Sequence, residues 1–338
     1  MNYIFVLPYR WFDDYMYKDI IDEGLVQVYY VNYPLQNPVK NFVRRVHRSY
    51  KVNRILHLPG KSIWLHDLYR MIDINTCLIF NTGALSMLDI DDLKYLKGNQ
   101  CYPKMVLAIA DSVDVPSGHM PIARPKVFGF SWDLILSYDP NDCRKYGFKP
   151  RGVDFYSKMT DIQPGSAKSD LYFIGRNKSG RNQYTLEIYH AMAAHNIVCN
   201  FVLRDEKKNK NKNDKAAYPG ITYEYNDIPY EDVISNVLSS NCILEVLQKG
   251  QHAQTARYYE AVCYNKKLLT NNPNVKKLEF YDSRYMQYFE NISDIDFNWI
   301  KNKVKIDYHY NNEFSPIHLL EKIESYFDND ADGGKDCL

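Results

Sequence analysis

The stretch Ser240-Asn-Cys-Ile-Leu-Glu-Val-Leu-Gln-Lys-Gly-Gln-His-Ala-Gln-Thr-Ala-Arg-Tyr-Tyr-Glu-Ala-Val-Cys-Tyr-Asn-Lys-Lys-Leu-Leu-Thr-Asn-Asn272 decides the fold. Residues 242–247 form an apolar run of strand length, broken only by Glu245. A polar segment with Gly250 follows, a helix opens near Gln254, and 267–270 reads as a second buried strand. Strand, helix and strand in that order make a βαβ unit, whose strands lie parallel and whose crossover is right-handed. Open sheets of such units bind ligands outside the carboxyl ends of their strands, where the loop after Leu247 falls. Glu245, Gln248, Gln251, Gln254, Thr255, Arg257 and Glu260 crowd that loop and the helix start. A purely structural crossover needs few of these.

The same alternation extends outward in both directions. In the second half it predicts strands over 170–174, 197–203 and 221–225, with helices over 181–194 and 230–238. In the first half it predicts strands over 3–7, 25–33, 76–80, 104–110 and 132–137. A helix over 41–50 would place Phe42, Val43, Val46 and Tyr50 on one face; another lies near 91–96, and a third opens at Asp139-Pro140. The expected class is α/β, with two Rossmann-like domains whose mostly parallel sheets face a cleft. The expected boundaries are an N-terminal α/β domain over 1–156, a linker over 157–168 and a C-terminal Rossmann-like domain over 169–327. The last helix, 316–327, is expected to pack back on the N-terminal domain, and 328–338 to be a disordered acidic tail.

A length of 338 residues suits two domains, and 45% hydrophobic with 25% charged residues is the balance of a soluble globular protein. A net charge of +1 gives no global field to recruit nucleic acid, so none is expected as a partner. Seven scattered cysteines without a C-x-x-C pair argue against a disulfide framework or a zinc site and for a reducing cytoplasm. The apolar start is too short for a signal peptide, and no run reaches the ~18 residues of a membrane span. Residues 40–54 carry six Lys/Arg and no acid. That pattern suits either an anionic membrane surface or a core helix with a basic outer face. The lysine/asparagine run at 206–215 reads as a solvated loop.

Chemistry concentrates on two segments. In Leu171-Tyr-Phe-Ile-Gly-Arg-Asn-Lys-Ser-Gly-Arg181 a strand runs into Gly175, with Arg176, Lys178 and Arg181 close to a helix start. Helix amides and cations together cradle a diphosphate. The segment is neither G-x-G-x-x-G nor a Walker sequence, so NAD and P-loop readings lack their fingerprints. On the second segment, Arg257 and Glu260 sit three apart and can form an intrahelical pair, or serve phosphate and ribose respectively. Asp89-x-Asp91 and Asp294-x-Asp296 could hold a divalent metal, but Asp89 to Asp92 also resembles a helix N-terminus, the reading preferred here. Asp111 follows the 104–110 strand as the candidate general base, with His57, His66 and His119 near other turns. No nucleophile motif supports hydrolase chemistry.

The chain resembles the GT-B class of glycosyltransferases, specifically those of bacterial capsule, exopolysaccharide and O-antigen assembly. The resemblance is strongest over 169–272, with weaker echoes at Asp133-Leu-Ile-Leu-Ser-Tyr-Asp-Pro140 and Lys145-Tyr-Gly-Phe148. It implies a C-terminal domain for the nucleotide-sugar donor, an N-terminal domain for the acceptor, and no metal requirement. Glu260-Ala-Val-Cys-Tyr-Asn-Lys-Lys-Leu-Leu-Thr270 resembles the Glu-Ala helix running into a strand, which gives Glu260 the ribose-binding role; Gly175 and Arg176 resemble the glycine loop at the diphosphate. Two departures stand out. His252 occupies a place where many retaining members carry glutamate, and Leu7-Pro-Tyr-Arg10 replaces a glycine-rich first loop. The expected activity is sugar transfer to a glycan, lipid-linked acceptor by a cytoplasmic, membrane-peripheral enzyme of cell-surface polysaccharide biosynthesis. Arg176, Lys178 and Arg257 would stabilise the departing diphosphate, Gly175 and Thr255 would add donors, and Asp111 would deprotonate the acceptor in an inverting reaction. The alternatives are a metal-dependent GT-A transferase using Asp89 and Asp91, and a non-catalytic nucleotide- or sugar-binding protein.

Overall fold

Parallel strands are covered on both faces, so they form where the sequence is apolar without alternation. The computed structural model describes all residues except 10, 57, 111, 115–117, 153–155, 167, 177–180, 205–217, 248–253 and 334–338; the side chains of 11–13, 50, 54, 181–182 and 329–333 also lie outside the description. The chain divides into two compact units, Met1–Ser157 with Glu313–Leu338, and Lys158–Asn312.

In the first unit the strands are β1 (Asn2–Leu7), β2 (Val26–Tyr30), β3 (Thr76–Asn81), β4 (Lys104–Ile109), β5 (Leu134–Ser137) and β6 (Lys149–Pro150). They form one six-stranded parallel sheet in the order β2-β1-β3-β4-β5-β6. Phe5 sits level with Val28 on one side and Ile79 on the other. The core beneath the sheet gathers Ile4, Val6, Leu78, Phe80 and Leu107 with Leu85, Leu93 and Leu96 from the following helices. The chain reverses direction across the sheet between β1 and β3, a topological switch point. The C-terminal helix Ile317–Gly333 belongs to this unit: Tyr3 donates to the Leu320 carbonyl (3.5 Å) and Lys322 to that of Arg151 (3.1 Å).

The second unit holds β7 (Ser169–Arg176), β8 (Cys199–Arg204), β9 (Ile221–Glu224), β10 (Ser240–Glu245), β11 (Lys267–Thr270) and β12 (Met286–Tyr288). Their order is β12-β11-β10-β7-β8-β9, all parallel. Counted from the other edge, this is the 3-2-1-4-5-6 order of the dinucleotide-binding folds, with its switch point between β7 and β10. Strands β6 and β12 were not expected, because two or three residues leave no periodicity to read.

Of the two readings of residues 40–54 the core helix with a basic outer face falls, and two other expectations change. The helix Pro38–His47, capped by Asn37, turns Phe42, Val43 and Val46 to solvent and buries Arg44. The reason is polar: the next arginine, Arg48, reaches inward to the buried Asp92 (3.2 Å) and to the carbonyls of Met87 and Lys61, and these bonds orient the segment more firmly than its apolar stripe. The segment expected as a linker packs along the second unit, where Met159 N–H donates to Tyr264 Oη (2.9 Å) and Gly165 N–H to the Ser235 carbonyl (3.0 Å). The last helix runs through the expected tail as far as Gly333, since Asp and Asn weaken a helix without stopping it and the first glycine pair stands at 333–334.

Replacing Asp92 with alanine leaves Arg48 buried without its counter-charge. We expect a loss of about 3–5 kcal/mol, read from urea unfolding monitored by circular dichroism; an unchanged midpoint would show that the carbonyls alone satisfy Arg48.

Candidate functional site

The switch point of the second unit sets the ends of β7 and β10 side by side, with Leu171 level with Cys242 and Tyr172 with Ile243. Here the tops of two strands diverge to opposite crossovers and leave a crevice. β7 ends on Gly175 and Arg176, paired across the ladder with Leu203 and Arg204 of β8. Gly175 is thus part of the strand, one residue before an exposed arginine, and Arg204 forms an ion pair with Asp227.

β10 ends on Glu245, whose buried carboxylate joins three elements. Its Oε1 accepts from Thr255 N–H (2.8 Å) and Thr255 Oγ1 (2.7 Å), and its Oε2 from Thr270 Oγ1 (2.6 Å) on β11. Burial raises the Glu245 carboxyl above the usual range, while the threonine bonds pull it back. Thr255 is the N-cap of the helix Ala256–Cys263, its Oγ1 accepting from Arg257 N–H (3.3 Å). Its hydroxyl proton is committed to Glu245, so what it offers to a ligand is position rather than a free donor.

From that cap the helix runs inward, with Tyr258 through Cys263 all buried. Glu260 is fully buried at 0% exposure, its Oε1 accepting from Tyr230 Oη (2.7 Å) and pairing with the Arg257 guanidinium. Among the described residues its Oε2 has no hydrogen-bond partner. Burial raises the Glu260 carboxyl from 4.5 to about 7 against the opposing pull of Arg257 and Tyr230. Tyr172, on β7, also has a buried hydroxyl without a partner among the described residues, pushed up by burial and lowered in part by Arg257. An acidic group near neutral pKa, a guanidinium and a phenol therefore cluster beneath the crevice.

The structure brings Gly175, Arg176, Thr255, Arg257 and Glu260 to this one switch point. Arg181 opens the helix Arg181–Ala194, with its side chain outside the description. Lys178, Gln248, Gln251, His252, His57 and the expected base Asp111 lie outside the described residues. Asp89 is the N-cap of the helix Ile90–Lys97; its N–H donates to Asp92 (3.0 Å) and its carboxylate pairs with Lys61, so its charge is used within the first unit. Among the described residues no cluster of His, Cys, Asp and Glu could hold a metal ion. His119 lies 3.0 Å from Ser86 Oγ, and His66 opens a short helix. Sequence reasoning missed Tyr230 and Thr270, whose contacts come from separate elements and leave no local pattern, and Tyr172, whose place beside them depends on the pairing of β7 with β10.

A six-stranded parallel sheet in Rossmann order, together with a second six-stranded parallel sheet flanked by helices, is the GT-B architecture. No protein-family model and no curated protein matches the sequence. Solved structures share the fold. An alpha-glucosyltransferase in complex with UDP and a mismatched DNA superposes with a TM-score of 0.53 at 11% identity, over 89% of this chain and 90% of its own. A UDP-forming trehalose-phosphate synthase from Burkholderia xenovorans gives 0.52 at 9%, over 96% and 95%. TarM gives 0.50 at 10%, over 79% of this chain, which spans only 58% of the length of TarM.

Glu260 makes stability depend on pH in a definite direction. Its folded value of about 7 lies above the unfolded 4.5, so its contribution is fully present below pH 4.5 and is lost as pH rises through about 7. We expect the stability of the wild type relative to Glu260→Gln to fall by roughly 3 kcal/mol between pH 4.5 and pH 8 in urea titrations. Parallel pH profiles for the two proteins would show that Glu260 is not perturbed.

Proposed function

We propose that this chain is a glycosyltransferase that moves a sugar from a nucleotide-sugar donor to a glycan acceptor. The observation that carries the reading is the convergence of Arg176, at the end of β7, and the Arg257–Glu260 pair, beyond β10, on the switch point of a Rossmann-ordered sheet. A departing nucleoside diphosphate develops negative charge, and Arg176, Lys178 and Arg257 are the cations that would stabilise it without a metal, with Arg181 and the helix amides after Thr255 beside them. Gln248 and Gln251 would contact the donor from the loop between. Glu260 Oε2, the acceptor atom left without a partner, would receive a ribose hydroxyl. Asp111, beyond β4, would take the proton of the acceptor hydroxyl.

The finer reading is an enzyme of bacterial cell-surface polysaccharide assembly, working on a lipid-linked acceptor at the inner face of the plasma membrane. Its support is the outward face of Pro38–His47: Val39, Phe42, Val43 and Val46 are exposed, with Lys40 and Arg45 beside them. Apolar side chains flanked by cations suit an anionic membrane surface, where each Lys or Arg contributes about 1 kcal/mol. No helix among the described residues is long and apolar enough to cross a membrane.

Thermal shift with UDP, GDP, CMP and dTDP, with and without EDTA, tests the donor reading. One nucleotide should raise Tm by mass action, independently of EDTA, and Arg176→Ala should weaken its binding about tenfold, the scale of one charge-assisted hydrogen bond. No shift with any nucleotide, or full affinity in the variant, would sink the assignment.

A further inference from the structure

We propose that the cleft beyond the carboxyl ends of β1 and β2 in the first unit is an oxyanion site, taking a phosphate or carboxylate group presented by a sugar or by a lipid headgroup. The cleft measures about 310 Å³ and is lined by Tyr9, Asn32, Asn41, Arg44, Arg45 and Arg48, with Val31 and Pro34. That volume lies at the lower end of small-molecule pockets and suits a ligand of monosaccharide size.

The described residues that line this cleft carry an excess of positive charge. Its lining residues include three arginines and no carboxylate. Arg48 is neutralised by Asp92 at 3.2 Å. Arg44 is only 7% exposed, yet its hydrogen bonds go to neutral acceptors: the Tyr33 carbonyl and Asn41 Oδ1 (3.1 Å). Arg45 is exposed and forms no ion pair among the described residues. Burial and the neighbouring Arg48 both lower the Arg44 guanidinium, but its starting value is so high that it stays charged. A buried guanidinium facing neutral oxygens is costly unless an anion completes it. Two guanidiniums without a carboxylate partner among the described residues, four and three positions before the paired Arg48, fit the planar, two-oxygen geometry of phosphate or carboxylate.

The walls are held in place before any ligand arrives. Tyr9 N–H donates to Asn32 Oδ1 (2.6 Å), which ties the loop after β1 to the loop after β2. Asn41 Oδ1 accepts from Leu35 N–H (3.3 Å) as well as from Arg44. Tyr9 packs edge-on against Tyr33 (4.8 Å) and Tyr30 (5.5 Å), and both Tyr9 and Tyr33 keep about half their surface exposed. Exposed aromatic faces beside a cationic pocket suit a ligand with an apolar ring face and a charged substituent. That this ligand is the acceptor rests on the glycosyltransferase reading; the site itself does not.

The test is calorimetric titration of the full chain at low salt with inorganic phosphate, a hexose 6-phosphate, a hexuronate and an uncharged hexose. A charged ligand should bind saturably and the uncharged hexose should not. Arg45→Gln and Arg44→Gln should each weaken binding about tenfold, and Arg45, being exposed, keeps the test valid if the Arg44 variant fails to fold. Nucleoside diphosphate binding should be unchanged in both variants, which separates failure of this inference from failure of the donor reading. Co-sedimentation with phosphatidylcholine vesicles containing phosphatidic acid distinguishes the source: loss in the arginine variants, with retention in Phe42→Ser, assigns the oxyanion to a lipid headgroup. The inference is overturned if no charged ligand saturates and vesicle binding ignores the arginines, or if Arg45→Gln binds hexose phosphate as the wild type does.

Discussion

The carboxylate of Glu245 is the joint on which the second unit turns. A strand end, a helix cap and a neighbouring strand meet at its two oxygens, through Thr255 and Thr270. A buried charge is tolerated only when hydrogen bonds replace water, and three donors do so here. The consequence is positional. Because Thr255 is held from behind by Glu245, the first turn of Ala256–Cys263 starts at a fixed place above β10, and Arg257 and Glu260 inherit that place. Glu245 fixes that helix start, which explains why a charged residue interrupts an otherwise apolar strand.

Glu260 obeys the same constraint with a different outcome. It is as deeply buried as Glu245, but its partners are one phenol and one guanidinium, and Oε2 is left unsatisfied. Burial outweighs its bonds to the phenol and the guanidinium, so its carboxyl rises to about 7 while remaining beside a cation. An unsatisfied acceptor in the interior is costly to keep for stability alone. The pair of glutamates thus divides between one that is complete and one that is not, and the incomplete one lies on the helix that the switch point presents.

Much of this was legible in the sequence because parallel strands advertise themselves. The apolar runs at 3–7, 76–80 and 242–247 could be read as buried strands without knowing their order, and the helix between 242–247 and 267–270 fixed their parallel sense. The strand order was not legible, since pairing of β7 with β10 depends on where chains separated by two other strands meet. The sequence left the facing of Pro38–His47 open for a different reason. Periodicity counts apolar residues, whereas this helix is oriented by what its arginines reach, and Asp92 lies far away in sequence. Tyr230 and Thr270 escaped notice on the same principle: a polar contact between distant elements has no spacing to detect.

The inward arginines show how one physical rule separates two roles for the same residue type. Arg48 lies against a carboxylate that is itself buried, and the pair closes within the first unit. Arg44 is buried to a similar degree with only neutral oxygens for partners, next to Arg45, which forms no ion pair among the described residues. If the function of Arg44 were only to hold the loop after β2, a neutral donor would bond the Tyr33 carbonyl and Asn41 equally well, without the desolvation of a charge. A guanidinium is favoured at that position over such a donor when something anionic shares the cleft. The uncompensated charge beside Arg44 is therefore better explained by what enters the first unit than by what holds it together.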